Sequence, residues 1–357
     1  MARAAEEAAA QGFTAVVIAP SPDLAYLAGY TPMPMERPTL LVLRPDAAPA
    51  MVVPQLERPL AAGSPAGGLV ELVAWDDGAD PYEAASLLMP ALGRIAAGDR
   101  MWAAQLLGLQ RAVPGASFEA ASPVIGKLRS VKDADELDVL RRAGAAADEV
   151  FRQICGLAFQ GRSERQIATD IAELLVTSGH DRADFTIVAS GPNAASPHHD
   201  AGERSIGAGD AVLLDFGGEL SGYFSDTTRT VVVGESPPGF DEVYQIVRNA
   251  QEAGFLAVGP GVPAREIDRV SRRVISDAGY GDKFIHRTGH GIGMEVHEQP
   301  YLVEGNDSPL QPGMTFSIEP GIYLGGRFGV RIEDIVAVTD NGAERFNRST
   351  RELQIVT

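Results

Sequence analysis

A chain of 357 residues is long enough for two domains of ordinary size, each able to bury its own core. Its formal net charge of −18 excludes the basic face that nucleic acid or an anionic membrane surface requires, and no apolar run of about eighteen residues is available to span a bilayer. The lone cysteine, Cys155, excludes an internal disulfide and fits a reducing, cytoplasmic compartment.

The opening MARAAEEAAA carries Glu6 and Glu7 where a signal peptide needs an apolar stretch, and reads as an exposed, alanine-rich first helix. Short β-prone runs follow at Thr14 to Ala19, Thr39 to Leu43, Ala50 to Val53 and Leu69 to Ala74, each bounded by Pro, Gly or Asp. Helical patterns cover Pro81 to Leu92 and Met101 to Gln110. Ser21 or Asp23 is placed to cap a short helix through Tyr26-Leu27. Together these predict a compact α/β domain over 1–122, with no constellation of His, Cys and carboxylates.

The texture changes between Ser122 and Asp133, and a second domain is expected over 123–357. From Leu137 the positions Leu140, Gly144, Ala147, Phe151 and Ile154 recur at helical spacing and describe one face of a long helix, with Cys155 a small buried residue in it. A second helix begins at Ser163, whose spacing to Gln166 makes a capping box, and ends at Gly179. Further helices are predicted over Asp241 to Val258 and Ala264 to Ala278.

Two hairpins in this half bear carboxylates. In the first, Asp215 closes the apolar run Val212-Leu213-Leu214, a glycine-rich turn follows, and Asp226 leads into the β-branched run Thr227 to Val233. In the second, Glu319 and Glu333 flank a turn containing Gly321, Gly325, Gly326 and Gly329, and Gly313 precedes Glu319 by the same six residues that separate Gly209 from Asp215. Strand, acid, turn, acid, strand thus occurs twice, which predicts two pseudo-symmetric halves sharing one centre. A carboxylate at the end of a buried strand is costly without an offsetting charge, and no lysine lies nearby. Five of the six histidines fall in two clusters, His198-His199 and the motif holding His286, His290 and His297, with His180 standing apart. If Asp215, Asp226, His290, Glu319 and Glu333 converge, two divalent cations would neutralise the four acids. Oxygen-rich ligation with one nitrogen suits Mn²⁺ or Co²⁺, and affinity order alone also admits Zn²⁺. Arg331, two residues before Glu333, is expected to share its face of a strand and to orient carboxylates or touch substrate.

LLDFGGELSGYFSDTTRT, HRTGHGIGMEVHEQP, FSIEPGIY and GVRIEDIV resemble the motifs of the pita-bread metallopeptidases over the whole second domain. The preceding α/β domain, with its segment SPDLAYLAGY, is similar to the creatinase-like domain of the proline-specific members, Xaa-Pro dipeptidase and aminopeptidase P. The resemblance implies an α+β chain: a creatinase-like N-terminal domain followed by a pseudo-symmetric pita-bread catalytic domain. It implies that Asp215, Asp226, His290, Glu319 and Glu333 bind two metal ions, with hydroxide between them as nucleophile. It further implies that Glu319 relays a proton to the departing nitrogen, and that His198 and His297 steady the scissile carbonyl and the tetrahedral intermediate. His286 and Tyr323 are expected to support these groups, and His199 to be a neighbour of His198. A homodimer acting on short proline-containing peptides is the implied whole.

Other activities built on the same fold are a methionine aminopeptidase, a metal-dependent lyase and a non-catalytic peptide-binding module. The first usually lacks the preceding domain and spaces its glutamates further apart; the last is opposed by the intact set of ligand types. Arg287 departs from the resemblance, since small residues are commoner between the two histidines of this motif, so the pocket edge is expected to differ.

Overall fold

The computed structural model describes residues 1–357, which divide into two compact units, Met1–Arg129 and Ser130–Thr357. In the first, strands β1 (Ala15–Ile18), β2 (Leu40–Leu43), β3 (Ala50–Pro54), β4 (Glu71–Trp75), β5 (Gly93–Ala97) and β6 (Ala116–Ala120) form one mixed sheet in the order β4-β3-β2-β1-β5-β6. Helices α1 (Ala2–Ala10), α2 (Pro22–Ala28), α3 (Arg58–Gly63), α4 (Pro81–Leu88), α5 (Ala103–Ala112) and α6 (Ile125–Ser130) complete it. Alternate strand residues feed two cores, with Val16, Ile18, Leu41, Leu43 and Met51 in one and Ala15, Val17, Leu40, Val42 and Val52 in the other. Burial on both faces is why these strands read as unbroken apolar runs and not as alternation.

α1 is less exposed than its composition suggests: Ala4 and Ala8, one helical turn apart, are fully buried. Arg3, Glu6 and Glu7 lie off that stripe, but alanine is too small and too common in the segment for two of its copies to announce a buried face. α2 is capped by Ser21, whose hydroxyl accepts from the Leu24 amide, whereas Asp23 pairs with Arg129 at 2.7 Å. α4 stops at Leu88, short of the periodic pattern, because Pro90 follows.

In the second unit, α7 (Ala134–Ile154) and α8 (Glu164–Thr177) precede β7 (Arg182–Ser190), β8 (Ala211–Leu220), β9 (Tyr223–Phe224) and β10 (Thr227–Val233). α9 (Phe240–Leu256) and α10 (Ala264–Asp277) precede β11 (Gly289–Gly291), β12 (Glu298–Leu302), β13 (Thr315–Ile318), β14 (Gly321–Leu324), β15 (Phe328–Arg331), β16 (Asp334–Thr339), β17 (Gly342–Arg345) and β18 (Gln354–Val356). One sheet runs β18-β10-β8-β7 with β9 paired to β8, another runs β12-β11-β13-β16-β17, and β14-β15 is a separate hairpin. The duplication is visible in the helices too: α8 and α10 have fourteen residues each and follow isolated bridges from Ser163 and Pro263.

The expected face of α7, Leu140, Gly144, Ala147, Phe151 and Ile154, is buried. Gly144 is required there, because a Cβ would lie 2.9 Å from the Phe346 carbonyl oxygen. Cys155 sits half-buried just beyond the helix and is a free thiol, pushed up in pKa by burial. The Ser163–Gln166 capping box forms as its spacing predicts. No helix is long and apolar enough to cross a membrane.

Candidate metal centre

Strand alternation decides which side chains of the first sheet face the site. On β8, Val212, Leu214 and Phe216 join the core beneath α7 and α8, so Asp215 must face the opposite way. β10 pairs antiparallel with β8 and sets Thr228 across from Asp215; Asp226 lies just before it. In the second half, β13 and β16 pair with Ile318 opposite Asp334. Glu319, one residue beyond β13, and Glu333, one residue before β16, therefore emerge side by side. The two acid-bearing segments are alike in plan but differ in detail. Asp215 is inside a strand that continues to Leu220, whereas both glutamates sit in joints between strands, with β14-β15 inserted between them.

His290 enters on β11. Gly289 and Gly291 have no room for a side chain, since a Cβ would lie 1.9 Å from the Ser317 carbonyl oxygen and 2.2 Å from that of Gln299. The Gly291 carbonyl accepts from His290 Nδ1 at 3.2 Å, which leaves a lone pair on Nε2. That lone pair lies 3.3 Å from Glu319 Oε1 and 3.7 Å from Asp226 Oδ2. Burial, then the neighbouring His297, lowers the His290 pKa to about 3, so the ring is neutral and a poor donor to those acids.

A ligand atom from each of Asp226, His290 and Glu333 lies within 4.8 Å of the others. Asp215 Oδ1, Asp226 Oδ1 and Glu333 Oε1 are buried without any hydrogen-bond partner. Three orphaned carboxylate oxygens beside an imidazole lone pair fit divalent cations and nothing else the chain supplies. Without a cation, burial, then Glu333 and Asp215, push the Asp226 pKa well up; burial, then Glu319, does the same to Glu333. Glu319 is pushed up to about 7 by burial, against the pull of Arg331.

Arg331 is 2% exposed. It donates to Asp215 Oδ2 at 2.5 Å, to the Thr228 hydroxyl at 3.1 Å and to the Tyr323 hydroxyl at 2.9 Å. Its placement differs from the expected one: it ends β15, while Glu333 falls in the joint before β16, so the two do not share a strand. It reaches the acids by spanning to β8. Tyr323 passes the chain on to His286 Nε2 at 2.8 Å, and His286 Nδ1 donates to the Arg287 carbonyl. Burial, then Arg331, holds the His286 pKa down at about 4.

A cavity of about 510 Å³ opens over these groups and is lined by Asp215, Asp226, His290, Glu319, Glu333, Arg331, His198 and His297. The eight residues expected to bind metal or to act on substrate thus meet in one place. His286 and Arg287 line it as well. The rings of His290 and His297 lie 4.1 Å apart, edge to face, while Arg287 stacks over Tyr301 at 4.4 Å. His199 turns instead onto Glu164 at 2.8 Å.

Several supporting residues escaped the sequence. Thr228 donates to Glu333 Oε2 at 2.6 Å, and Ser317 donates to Glu319 and accepts from the His290 amide. His180 Nδ1 donates to the Leu175 carbonyl and its Nε2 accepts from Ser225, the residue before Asp226. Ser317 reaches Glu319 from two residues away and His180 reaches Leu175 from five, whereas the Thr228–Glu333, Ser317–His290 and His180–Ser225 contacts join segments far apart in sequence and gave no signal there.

A two-unit chain with a buried acid-and-imidazole cluster beneath an open cavity is the plan of a metal-dependent hydrolase. Residues 138–340 match the profile of metallopeptidase family M24, and residues 1–131 match the creatinase/prolidase N-terminal domain. The chain belongs to metallopeptidase family M24. It is 45% identical to the probable dipeptidase PepE of Mycobacterium tuberculosis over 359 aligned positions, covering 100% of this chain and 96% of that one. It is 38% identical to an Xaa-Pro dipeptidase of Lactobacillus delbrueckii subsp. lactis, covering 93% and 92%. The crystal structure of dipeptidase PepE from Mycobacterium ulcerans superposes with a TM-score of 0.97 at 45% identity, covering 99% of this chain and 96% of that one.

Proposed function

We propose that this protein hydrolyses the Xaa-Pro bond of short peptides, using two divalent cations, Mn²⁺ or Co²⁺, held by Asp215, Asp226, His290, Glu319 and Glu333. The observation that carries this is the set of three orphaned carboxylate oxygens beside the His290 lone pair, at the floor of a cavity large enough for a small peptide. The proline preference is supported by the Lactobacillus relative's activity. When bound, divalent cations polarise a carbonyl and make a bound water acidic enough to lose its proton near neutral pH.

The chain's own residues do the rest. Glu319, whose carboxylate lines the cavity 3.3 Å from His290 Nε2, is placed to take a proton and to return it to the leaving nitrogen. That return matters for an Xaa-Pro bond, whose leaving group is a ring secondary amine. His198 and His297 face the cavity as donors to the oxygen on which charge develops. Arg331 fixes Asp215. Arg287 lines the cavity with its guanidinium stacked over the Tyr301 ring, and so offers a cation at the rim for a peptide's terminal carboxylate. A cytoplasmic homodimer completes the reading; the lone Cys155 supports the compartment.

The experiment is to load the protein with Mn²⁺ or Co²⁺ and to offer an Xaa-Pro dipeptide, an Xaa-Pro-Xaa tripeptide and a Met-Ala peptide. Cleavage of at least one proline peptide is expected. Turnover of neither by metal-loaded protein refutes the proline assignment.

A further inference from the structure

Glu164 opens α8, yet none of its surface reaches solvent. An acid in the first turn of a helix is ordinarily solvated, helped only by the helix dipole. Here the carboxylate accepts five hydrogen bonds. Oε1 accepts from the Ser190 amide at 2.8 Å, the Ser190 hydroxyl at 2.7 Å and the Asn193 side chain at 3.0 Å. Oε2 accepts from His199 Nε2 at 2.8 Å and the Gly202 amide at 3.2 Å. Burial alone would raise its pKa; the bonds from Ser190, His199 and Asn193 outweigh that and keep it ionised.

Every one of these donors belongs to the segment 190–202, so one carboxylate on a rigid helix gathers an entire loop. The same loop is held from its other side by the metal centre. The Pro197 carbonyl accepts from Arg331 at 3.4 Å, and Gly329 must lack a side chain, because a Cβ would lie 1.9 Å from the Ala194 carbonyl oxygen. Between the two anchorages Pro197 and His198 line the cavity. The ring next to His198 is thus clamped by a buried charge, and the His198 backbone has little freedom left.

We propose that Glu164, acting through His199 and the 190–202 loop, is a positioning residue that fixes the imidazole of His198 over the metal centre. This rests on the reading of His198 as a donor to the reacting carbonyl. A loop is ordinarily the least precise place for a reacting group; a five-bonded buried carboxylate gives it the rigidity of the helix.

Glu164→Gln tests this, because it keeps the shape but turns one accepting oxygen into an N–H₂ that faces a donor whichever way it is oriented. On an Xaa-Pro dipeptide, kcat is expected to fall about ten- to a hundredfold, with metal content unchanged. In a His198→Ala background the same change is expected to lower kcat by less than about twofold, because nothing remains to be positioned. Equal losses in both backgrounds overturn the proposal. His199→Leu should reproduce the loss, and His199→Gln, which can still donate to the carboxylate, should recover most of it. A readout independent of turnover is the ring ¹⁵N spectrum of the Zn²⁺-loaded protein with labelled histidine. Glu164→Gln should move or broaden the His198 signal and leave that of His180 in place; an unmoved His198 signal overturns the proposal even if no proline peptide is cleaved. Should Glu164→Gln not fold, Asn193→Ala removes one donor and should shift the same His198 signal by a smaller amount, an unmoved signal again counting against it.

Discussion

Removing Arg331 from the metal-free protein isolates the charge that holds the cluster together. Arg331 and Asp215 are both buried and joined at 2.5 Å. Arg331→Met leaves an apolar stem of similar length, but strands Asp215 Oδ2 next to an oxygen that already has no partner. Breaking one side of a buried pair destabilises by about 3–5 kcal/mol, which for a unit of this size lowers Tm by about 2–4 °C per kcal/mol. A fall of roughly 10 °C in chelator is therefore expected. Asp215→Asn alone should also destabilise, while the double variant should be more stable than the sum of the two losses by about 2 kcal/mol. Urea unfolding followed by circular dichroism, in chelator throughout, measures all four proteins. Strict additivity within about 0.5 kcal/mol would show that the pair is not coupled and that Arg331 acts through its other partners, Tyr323, Thr228 and Pro197.

The raised pKa of Glu319 makes a prediction with a definite sign. Between its ordinary value of 4.5 and about 7 the folded metal-free protein holds a proton that the unfolded chain has released. Its contribution to stability is present below pH 4.5 and lost as pH rises through 7, on the order of 3 kcal/mol. Wild type minus Glu319→Gln stability in chelator should fall over that window, and a flat difference counts against the assignment. Saturating Mn²⁺ should remove the fall and stabilise wild type by about 2.7 kcal/mol at a hundredfold excess over Kd, seen as a rise in Tm; no metal-dependent shift in calorimetry would contradict the metal centre. Arg287→Ala should raise KM about tenfold for a dipeptide with a free terminal carboxylate and much less for its amide; equal effects on both would remove Arg287 from carboxylate binding. Gly289→Ala, forced against the Ser317 carbonyl oxygen at 1.9 Å, should displace β11 and reduce metal content at equilibrium dialysis, and full loading would show that the strand yields.

The acids of the centre were legible because each interrupts or ends an apolar β-prone run, where a charge is conspicuous, and because the pattern occurs twice. His290 was legible from its glycines, whose contacts with Ser317 and Gln299 explain their number. Arg331 was found by a period that does not operate: β15 ends at it, and its partner is on β8. Glu164 gave no signal, since Ser-Glu-Arg-Gln at a helix start is ordinary surface sequence and its donors arrive from 26 to 38 residues away. The buried stripe of α1 was equally hidden among identical alanines.

The residues that stitch the two halves at the centre are mostly neutral or backbone groups, and this has a physical reason. Four acids confined under one cavity already repel one another, as the upward shifts of Asp226 and Glu333 express. A further buried cation would compete with divalent metal for the same oxygens, as Arg331 does for one oxygen of Asp215. The Glu333 amide instead donates to the Thr228 carbonyl at 3.1 Å, and its carbonyl accepts from Arg229, whose charge is committed to Asp334 at 2.7 Å on the far side. Only the Thr228 hydroxyl touches the Glu333 carboxylate, and it engages a single oxygen. The backbone is thereby fixed while one oxygen on each of Asp215, Asp226 and Glu333 stays free. Such a scaffold is strained electrostatically until metal binds, so metal binding and folding stability are coupled through these oxygens.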